Sequence, residues 1–306
     1  MLIRLGTRGS KLALAQSIWV KEKIESLCED IRVEIVKIKT KGDKILDSPL
    51  SRIGGKGLFV KEIEVELIRG NIDIAVHSMK DVPVELPEEV EIASYPKREN
   101  PFDAFVSNRF KKIDDLPDGS KIGTSSLRRK VQIKRINPSF EVVPIRGNVD
   151  TRLRKLEELN LDAIIIACAG LIRLNLSEKI RQQIPEDVMI PAIGQGALAI
   201  EIRRDDERIR RIVSFLNHKK TEIEVKAERA FLKELGGGCQ IPIAGHARIK
   251  DNVILIRGMI SDMEGKRYIE EKIEGDLGKA EDLGKRLAEM LIKKGARKIL
   301  EEIYGR

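Results

Sequence analysis

One cysteine of the chain lies in an unusual setting, between three glycines and a proline. It is Cys239 in the stretch Leu235-Gly236-Gly237-Gly238-Cys239-Gln240-Ile241-Pro242. Glycine allows sharp backbone turns, so the thiol can sit at a loop tip that is open to a bulky partner. The same octet also suits a helix C-cap followed by a turn, with Cys239 as a small apolar residue. On these residues alone both interpretations stay open.

A second candidate for chemistry is the pair Lys80-Asp81. It follows residues 72–76, an apolar run that predicts a buried strand, and it precedes Pro83, which stiffens the loop. Loops at the carboxyl ends of strands carry the chemistry in open α/β sheets. Asp81 is therefore a candidate general acid/base. Taken alone, however, an adjacent lysine and aspartate are more often a solvated ion pair.

Cations and hydroxyl groups follow several other predicted strands. Each of these strands runs into a polar turn and then a helix, so backbone N–H groups and the positive end of the helix dipole point at one spot. Residues 121–155 alone hold ten Lys/Arg against two acids. This arrangement is typical of a binding site for carboxylates or phosphates, and a solvated surface explains it less well. The residues at these strand exits are Arg8, Ser10 (a predicted N-cap), Thr124, Ser125, Ser126, Arg128, Arg129, Arg146, Gly147, Arg152 and Arg173.

A glycine-rich loop at residues 51–57 carries Lys56. It lacks the spacing of a nucleotide P-loop. We interpret it as a mobile lid that brings Lys56 to an anion, although a plain flexible loop explains the local sequence equally well.

Composition limits the classes of protein. The chain has 306 residues, 42% of them hydrophobic, which is enough for two or three domains with their own cores. It has no apolar run of about 18 residues, and its N-terminus leads straight into a patterned strand. We therefore expect a cytoplasmic protein without membrane association. Three widely spaced cysteines and three histidines argue against a disulfide framework and a metal site. The net charge of +8 predicts an anionic partner.

The order of predicted elements indicates an α/β protein with a smaller third region. Strand, polar loop and helix repeat through residues 1–96, and a charged segment with two prolines at residues 95–101 separates them from a second α/β unit. Glycines within residues 191–201 precede a strand that returns to the first unit. The predicted domains are 1–96 with 197–215, then 101–191, and finally an α+β domain at 219–306 that presents Cys239.

Two alternative classes compete with an enzyme. Nucleic-acid binding is disfavoured because aromatic content is only 4% and no known nucleic-acid motif is present. A two-lobed, non-catalytic binding protein for a small polycarboxylate anion fits the organisation. Such a protein would need neither Asp81 nor an exposed Cys239.

Seven ordered motifs resemble the porphobilinogen deaminase family along nearly the whole chain. Two departures are small: Gly236 stands where many members of the family have a bulkier polar residue, and Phe102 stands where others have an arginine. Neither change removes a functional group. The segments that carry the resemblance are Thr7-Arg8-Gly9-Ser10, Gly54-Gly55-Lys56-Gly57-Leu58-Phe59-Val60-Lys61-Glu62, Ala75-Val76-His77-Ser78-Met79-Lys80-Asp81-Val82-Pro83, Gly123-Thr124-Ser125-Ser126-Leu127-Arg128-Arg129, Arg146-Gly147-Asn148-Val149, Gly194-Gln195-Gly196 and Gly238-Cys239-Gln240-Ile241-Pro242.

The resemblance implies a fold and a reaction. The fold would be two doubly wound α/β domains like those of periplasmic binding proteins, plus a small C-terminal α+β domain. The reaction would add four porphobilinogen molecules in turn, each losing ammonia, to a dipyrromethane cofactor joined to Cys239 through a thioether. Water would then release hydroxymethylbilane. Because each pyrrole carries an acetate and a propionate, the growing chain brings many carboxylates, which explains the arginines.

The resemblance also implies roles for individual residues. Asp81 would be catalytic, protonating the departing amine and stabilising the cation left behind. Implied cofactor-binding residues are Cys239, Lys80, Asp81, Thr124, Ser125, Ser126, Arg128, Arg129, Arg146 and Gly147. Implied substrate-binding residues are Arg8, Ser10, Lys56, Arg146, Arg152, Arg173 and Gln195. The resemblance further implies a monomer that passes its unstable product to a uroporphyrinogen-III synthase.

Overall fold

Three β-sheets organise the chain, two of five strands and one of three. The computed structural model describes residues 1–40, 57, 60–236, 238 and 241–305. These residues form two compact units. Unit 1 comprises Met1–Glu99 and Gly196–Glu222, and unit 2 comprises Asn100–Gln195 and Ile223–Arg306.

Unit 1 is built around the first sheet, in which the strand order is β2-β1-β3-β10-β4. β1 is parallel to β2 and β3, whereas β10 is antiparallel to both β3 and β4. The strands are β1 (Leu2–Thr7), β2 (Arg32–Lys37), β3 (Ile74–Ser78), β4 (Val90–Ser94) and β10 (Leu198–Arg203). The helices are α1 (Lys11–Leu27), α2 (Lys61–Ile68) and α6 (Glu207–Ser214).

Apolar side chains explain how these elements pack. Ile3, Leu5, Ile74 and Ile200 are fully buried in the sheet and form one core with Val20 and Ile24 of α1. Burying each such side chain stabilises the fold by about 1.5–3 kcal/mol. The helix predicted from Ile63 and Leu67 is present as α2, and both residues are fully buried.

Unit 2 contains the second sheet, in which the strand order is β7-β6-β8-β5-β9. β6 is parallel to β7 and β8, and β5 is antiparallel to β8 and β9. The strands are β5 (Asp103–Val106), β6 (Lys121–Gly123), β7 (Glu141–Val143), β8 (Ala163–Ala167) and β9 (Gln182–Ile184). The helices are α3 (Leu127–Ile136), α4 (Val149–Glu158) and α5 (Cys168–Arg173).

The third sheet, also in unit 2, is an antiparallel meander covered by helices on one face. Phe231 of α7 lies fully buried at the centre of this core. Gly284 lets helix α8 approach α7 closely, because a Cβ there would stand 2.2 Å from the carbonyl oxygen of Ala227. The elements are β11 (Ile243–Lys250), β12 (Val253–Ser261), β13 (Tyr268–Asp276), α7 (Lys219–Glu234, which begins in unit 1), α8 (Ala280–Leu291) and α9 (Arg297–Tyr304).

The expected α/β fold class is confirmed by these sheets. The predicted strand at residues 72–76 starts two residues later than expected, as Ile74–Ser78. The returning strand is present as β10, which pairs with β3 and β4. The division into three domains stays a prediction. None of the helices in the described part of the chain has the length and apolar character that a membrane crossing requires.

Candidate active site

The exit of β1 presents a cation and a hydroxyl group at a helix N-terminus. Ser10 caps α1 as predicted, because its Oγ accepts a hydrogen bond from the Ala13 N–H at 3.2 Å. Thr7 is buried, and its hydroxyl donates to the Ala13 carbonyl at 3.3 Å. Arg8, which lies between Thr7 and Ser10 in the sequence, is half-buried. The rigid cap therefore fixes the backbone on which Arg8 stands.

The exit of β3 places Lys80 and Asp81 on a single 3-10 turn, Met79–Asp81. Both side chains are half-buried. The Met79 N–H donates to the Ala197 carbonyl at 3.0 Å, which ties the turn to the segment before β10. Gln16 of α1 donates from Nε2 to Ser78 Oγ at 3.0 Å. The carboxyl group of Asp81 thus stands on a braced turn, as a positioned acid/base requires.

Behind this turn lies a group of ionisable residues that sequence reasoning missed. His77 Nε2 is 3.0 Å from Glu201 Oε2, and both side chains are buried. Burial, together with the nearby Glu201 carboxylate, raises the pKa of Glu64 on α2 to about 7. The sequence does contain a signal for this group, because Glu201 is the one charged residue in the apolar run of residues 197–202 and is therefore expected to need a buried partner.

In unit 2 the exit of β6 brings three hydroxyl residues into one loop. Ser126 caps α3, since its Oγ accepts from the Arg129 N–H. The Ser126 N–H donates to Thr124 Oγ1 at 3.2 Å, and Ser125 Oγ donates to the Ile145 carbonyl at 2.7 Å. The N-terminus of α3 therefore carries an ordered set of hydroxyl and amide groups, as predicted from residues 124–126.

Arg128 and Arg129 lie just inside α3, and their side chains are only 5% exposed. Both bind Asp103 of β5, which is fully buried. Arg128 donates to both carboxylate oxygens, at 2.7 and 3.0 Å, and Arg129 Nε donates to Oδ1 at 2.9 Å. Gln195 Nε2 adds a hydrogen bond to Oδ1 at 3.1 Å. Burial raises the pKa of Asp103, but the two guanidinium groups outweigh it and hold the pKa well below the usual range of a carboxyl.

Sequence reasoning placed Arg128, Arg129 and Gln195 at the site but did not foresee Asp103. The aspartate was visible as one acid in the apolar run Phe102-Asp103-Ala104-Phe105-Val106. A buried carboxylate requires counter-charges, and the first turn of α3 supplies them.

The exit of β7 leads through Arg146 and Gly147 into α4. Gly147 has φ of +108°, and a Cβ there would stand 2.6 Å from Thr151 Cγ2. Only glycine fits this position. Arg152 Nε donates to the Gly147 carbonyl at 2.8 Å, so it closes the turn from the helix side. Arg146 and Arg152 are both half-buried.

The exit of β8 leads into the short helix α5, whose last residue is Arg173. The first residue, Cys168, is buried. Arg173 is half-buried. Two predicted site residues, Lys56 and Cys239, lie outside the described residues.

A cavity of about 810 Å³ lies in unit 2 beside the third sheet. Its charged lining residues face one another: Arg257 Nε donates to Glu270 Oε1 at 2.7 Å, and Arg248 Nη1 is 3.6 Å from Glu186 Oε2. No predicted site residue in the described part of the chain lines this cavity. Among the described residues, no group of three His, Cys, Asp or Glu side chains is placed to hold a metal ion.

The sheets and their strand exits define an α/β protein with hydroxyl, amide and guanidinium groups at the ends of its parallel strands. Residues 3–211 match the family model described as porphobilinogen deaminase, dipyromethane cofactor binding domain, and residues 222–293 match the one described as porphobilinogen deaminase, C-terminal domain. The chain belongs to the porphobilinogen deaminase family. The resemblance read from the seven motifs is confirmed.

Relatives from the same family match this chain over nearly their full length. A porphobilinogen deaminase of Geobacter metallireducens is 50% identical over 304 residues, which are 99% of this chain and 95% of the relative. That of Vesicomyosocius okutanii is 49% identical over 300 residues, covering 98% and 99% of the two chains. A periplasmic substrate-binding protein of an ABC transporter from Coxiella burnetii is a distant structural likeness, with a TM-score of 0.45 and 14% identity, covering 70% of this chain and 91% of that one.

Family membership settles the class of reaction. The chain is a transferase whose substrate is porphobilinogen, and it condenses four molecules into hydroxymethylbilane with loss of ammonia. The alternative of a non-catalytic binding protein is not favoured. The donors at the strand exits of unit 2 fit the family's cofactor. Its two pyrroles carry acetate and propionate carboxylates, which hydroxyl, amide and guanidinium groups bind well.

Proposed function

We propose that Cys239 carries the dipyrromethane cofactor through a thioether bond. The family model that covers residues 3–211 is that of a dipyromethane-binding domain, and Cys239 is a thiol in a glycine-rich segment, which leaves room for a bulky attached group. When bound, the cofactor supplies a free pyrrole end to which substrate units are added. Neither Cys28 nor Cys168 has such a setting, because Cys168 is buried and Cys28 ends the helix α1.

Asp81 is the proposed catalytic residue. The observation that carries this role is its place on the 3-10 turn directly after β3, half-buried and next to Lys80. The Asp81 carboxyl protonates the departing amine nitrogen of porphobilinogen and then, as a carboxylate, stabilises the cationic carbon left behind. A partly desolvated carboxylate does this better than a solvated one, since the electrostatic interaction strengthens as water is removed.

Cofactor and substrate carboxylates are bound by the strand-exit residues of each unit. Half-buried arginines suit this role, because part of the cost of desolvating them is already met in the fold while the side chain still reaches solvent. Proposed for the cofactor are Lys80, Asp81, Thr124, Ser125, Ser126, Arg128, Arg129, Arg146 and Gly147. Proposed for the substrate are Arg8, Ser10, Lys56, Arg146, Arg152, Arg173 and Gln195.

Arg128, Arg129 and Gln195 act in part by holding Asp103. With two guanidinium groups around one carboxylate, the cluster keeps a net positive charge at the N-terminus of α3. That charge adds to the helix dipole and favours an anion at residues 124–126. The hydroxyl groups there then orient the bound carboxylates.

The remaining parts of the proposal concern the protein's setting. We propose a cytoplasmic monomer. Its product is an unstable linear tetrapyrrole, so a uroporphyrinogen-III synthase is the proposed recipient, with no physical contact implied.

Intact mass under denaturing conditions, combined with turnover, tests both central assignments. The protein should exceed its sequence mass by two deaminated porphobilinogen units, since a thioether survives denaturation. Cys239→Ser should lose this excess and all turnover. Asp81→Asn should keep the excess but lose turnover by about 10²–10⁴-fold, the usual contribution of general acid/base catalysis.

Cys28→Ser is the matched control and should keep both mass and turnover. An excess that persists in Cys239→Ser would refute the attachment site. Near-normal turnover in Asp81→Asn would refute its catalytic role and leave the attachment untouched.

A further inference from the structure

Residues 190–195 of unit 2, the crossing segment, are hydrogen-bonded to helix α3 on one side and to the third sheet on the other. The Ile190 N–H donates to Gln132 Oε1 at 2.7 Å, and the Ile190 carbonyl accepts from Gln132 Nε2 at 3.1 Å. The Gly245 N–H of β11 donates to the Pro191 carbonyl at 3.1 Å. The crossing segment is therefore fixed to elements of both sheets of unit 2.

The crossing segment ends in a tight turn. The Gln195 N–H donates to the Ala192 carbonyl at 2.9 Å, and Gly194, the third residue of the turn, has φ of +70°. A positive φ at this position is typical of a type II β-turn and favours glycine. The N–H of Gly194 donates out of the turn, to Glu228 Oε2 of α7 at 2.7 Å.

Glu228 is a fully buried acid that bridges two backbone segments. Its Oε2 accepts from Gly194, and its Oε1 accepts from the Ala247 N–H of β11 at 2.8 Å. Burying a carboxylate is costly unless hydrogen bonds compensate for the lost water, and bonds from backbone N–H groups to a carboxylate are stronger than those between neutral groups. Glu228 therefore connects the turn to β11 through both of its oxygens.

The residue after Gly194 joins this contact to the buried arginines. Gln195 is 1% exposed. Its Nε2 donates to Asp103 Oδ1 at 3.1 Å, and its Oε1 accepts from Arg129 Nη2 at 3.4 Å. The path from Glu228 to the guanidinium group of Arg129 thus contains one backbone turn and one side chain.

Both buried arginines contact the crossing segment. Arg129 meets Gln195, and Arg128 Nη1 donates to the Ile190 carbonyl at 2.7 Å. Their helix begins directly after the hydroxyl residues 124–126. Because binding groups that are already held in place lose less freedom when a ligand binds, the position of these two charges affects how well a carboxylate binds there.

We propose that Glu228 is a positioning residue for the cofactor site. By holding the turn at Gly194 against β11, it fixes Gln195, and through Gln195 it fixes the guanidinium groups at the start of α3. The effect on the reaction rests on the proposed binding of cofactor carboxylates at residues 124–126. The connection between Glu228 and α3 does not depend on that proposal.

Glu224 offers a matched control. It lies on α7 four residues before Glu228, is 6% exposed, and accepts a hydrogen bond from the Ile249 N–H of β11 at 3.0 Å. Glu224→Gln keeps an oxygen that can accept this bond. Both acids therefore join the same helix to the same strand, but only the bond from Glu228 to Gly194 leads to the crossing segment.

Amide hydrogen exchange in the holoenzyme tests the connection without reference to activity. In Glu228→Gln one carboxylate oxygen becomes an NH₂ group, which cannot accept from an N–H, so the side chain no longer joins the turn to β11. Exchange of the Arg129 amide should then be faster by about 2- to 13-fold, the range that one hydrogen bond spans. Glu224→Gln should leave Arg129 exchange unchanged.

Turnover per cofactor-loaded molecule tests the effect on the reaction, with the loaded fraction taken from the excess in intact mass. Glu228→Gln should lower this turnover by about 2- to 13-fold, and Glu224→Gln should not change it. In a Gln195→Ala background the path is already cut, so Glu228→Gln should add no further loss. A merely structural role would lower turnover in both backgrounds by the same factor.

Each outcome decides a separate point. Unchanged Arg129 exchange in Glu228→Gln, or an equal change in Glu224→Gln, would overturn the inference and leave the proposed function intact. Faster exchange with normal turnover would instead refute the binding of cofactor carboxylates at residues 124–126. If Glu228→Gln does not fold, Glu228→Asp replaces it. That variant keeps the charge on a shorter side chain, which cannot span both N–H groups, and should show the same faster exchange.

Discussion

The first and second sheets have the same pattern of parallel and antiparallel strands. They differ in the groups that surround a buried carboxylate. Each places an antiparallel strand, β10 or β5, between its third parallel strand and an edge strand. Each of these antiparallel strands carries a fully buried carboxylate, Glu201 or Asp103. Asp103 has two guanidinium groups and an amide around it. Glu201 has one imidazole and a neighbouring acid.

This difference shows that the sheet topology determines where the buried carboxylate lies. The residues of the helix that packs on the sheet determine whether the carboxylate is ionised. In the second sheet the first turn of α3 supplies Arg128 and Arg129, so the network is saturated with donors. In the first sheet α2 supplies Glu64 instead of a cation. The second sheet therefore holds a fixed ion cluster, whereas the first holds a group that changes its proton count near neutral pH.

Asp103→Asn is expected to have a large effect on unit 2. It leaves two buried guanidinium groups without a negative charge, and breaking a buried ion pair in this way costs about 3–5 kcal/mol. The loss should appear as faster amide hydrogen exchange in β8, which contacts Arg129 through the Ile165 carbonyl. Glu201→Gln, at the corresponding strand of unit 1, should cost far less, because an amide still pairs with His77 and one carboxylate is removed.

Two comparisons check this expectation. Asp118→Asn changes an exposed carboxylate of the same unit and should leave exchange in β8 unaltered. Equal losses in Asp103→Asn and Glu201→Gln would show that the two buried acids are held alike.

Stability should depend on pH differently in the two units. Because the pKa of Asp103 is depressed, its contribution is present above the ordinary carboxyl pKa and is lost only as pH falls far into the acid range. The pKa of Glu64 is raised to about 7, so the folded state binds a proton more tightly than the unfolded state does. Unit 1 should therefore lose stability as pH rises from about 4.5 to about 7 and then level off.

Fluorescence follows unit 1, because the single tryptophan of the chain, Trp19, lies on α1. Denaturant unfolding at about pH 5 and about pH 8 should show lower stability at the higher pH, and Glu64→Gln should remove most of that difference. A difference that Glu64→Gln leaves intact would assign the titration to another group.

Much of this arrangement was predictable from sequence, because it is local. Ser10 was predicted as a helix N-cap, and the apolar run at residues 72–76 located β3, so the polar residues at these two strand exits could be assigned. These features depend on residues within one or two turns of each other.

The charge balance was not predictable, because its partners are far apart in the chain. Asp103 meets Arg128 across 25 positions, and His77 meets Glu201 across 124. Both acids stood out as single carboxylates within apolar runs, which signals burial but does not identify the partner. Whether a buried acid receives two arginines or another acid is decided by which helix packs on it.

The matched helix caps give the finest test of the comparison. Ser10→Ala and Ser126→Ala each remove a capping hydrogen bond, which usually costs about 1 kcal/mol. We expect the smaller loss at Ser126, because its contact with the Arg129 N–H is 3.4 Å long, against 3.2 Å at Ser10, and the side chains of Arg128 and Arg129 already anchor α3 on Asp103.

Exchange of the Ala13 and Arg129 amides measures each loss directly, and Ser→Thr at either position should restore most of it. A larger loss at Ser126 would mean that the ion cluster does not hold the N-terminus of α3. The hydroxyl loop would then depend on its own hydrogen bonds, and the fixed charge at Asp103 would serve the sheet alone.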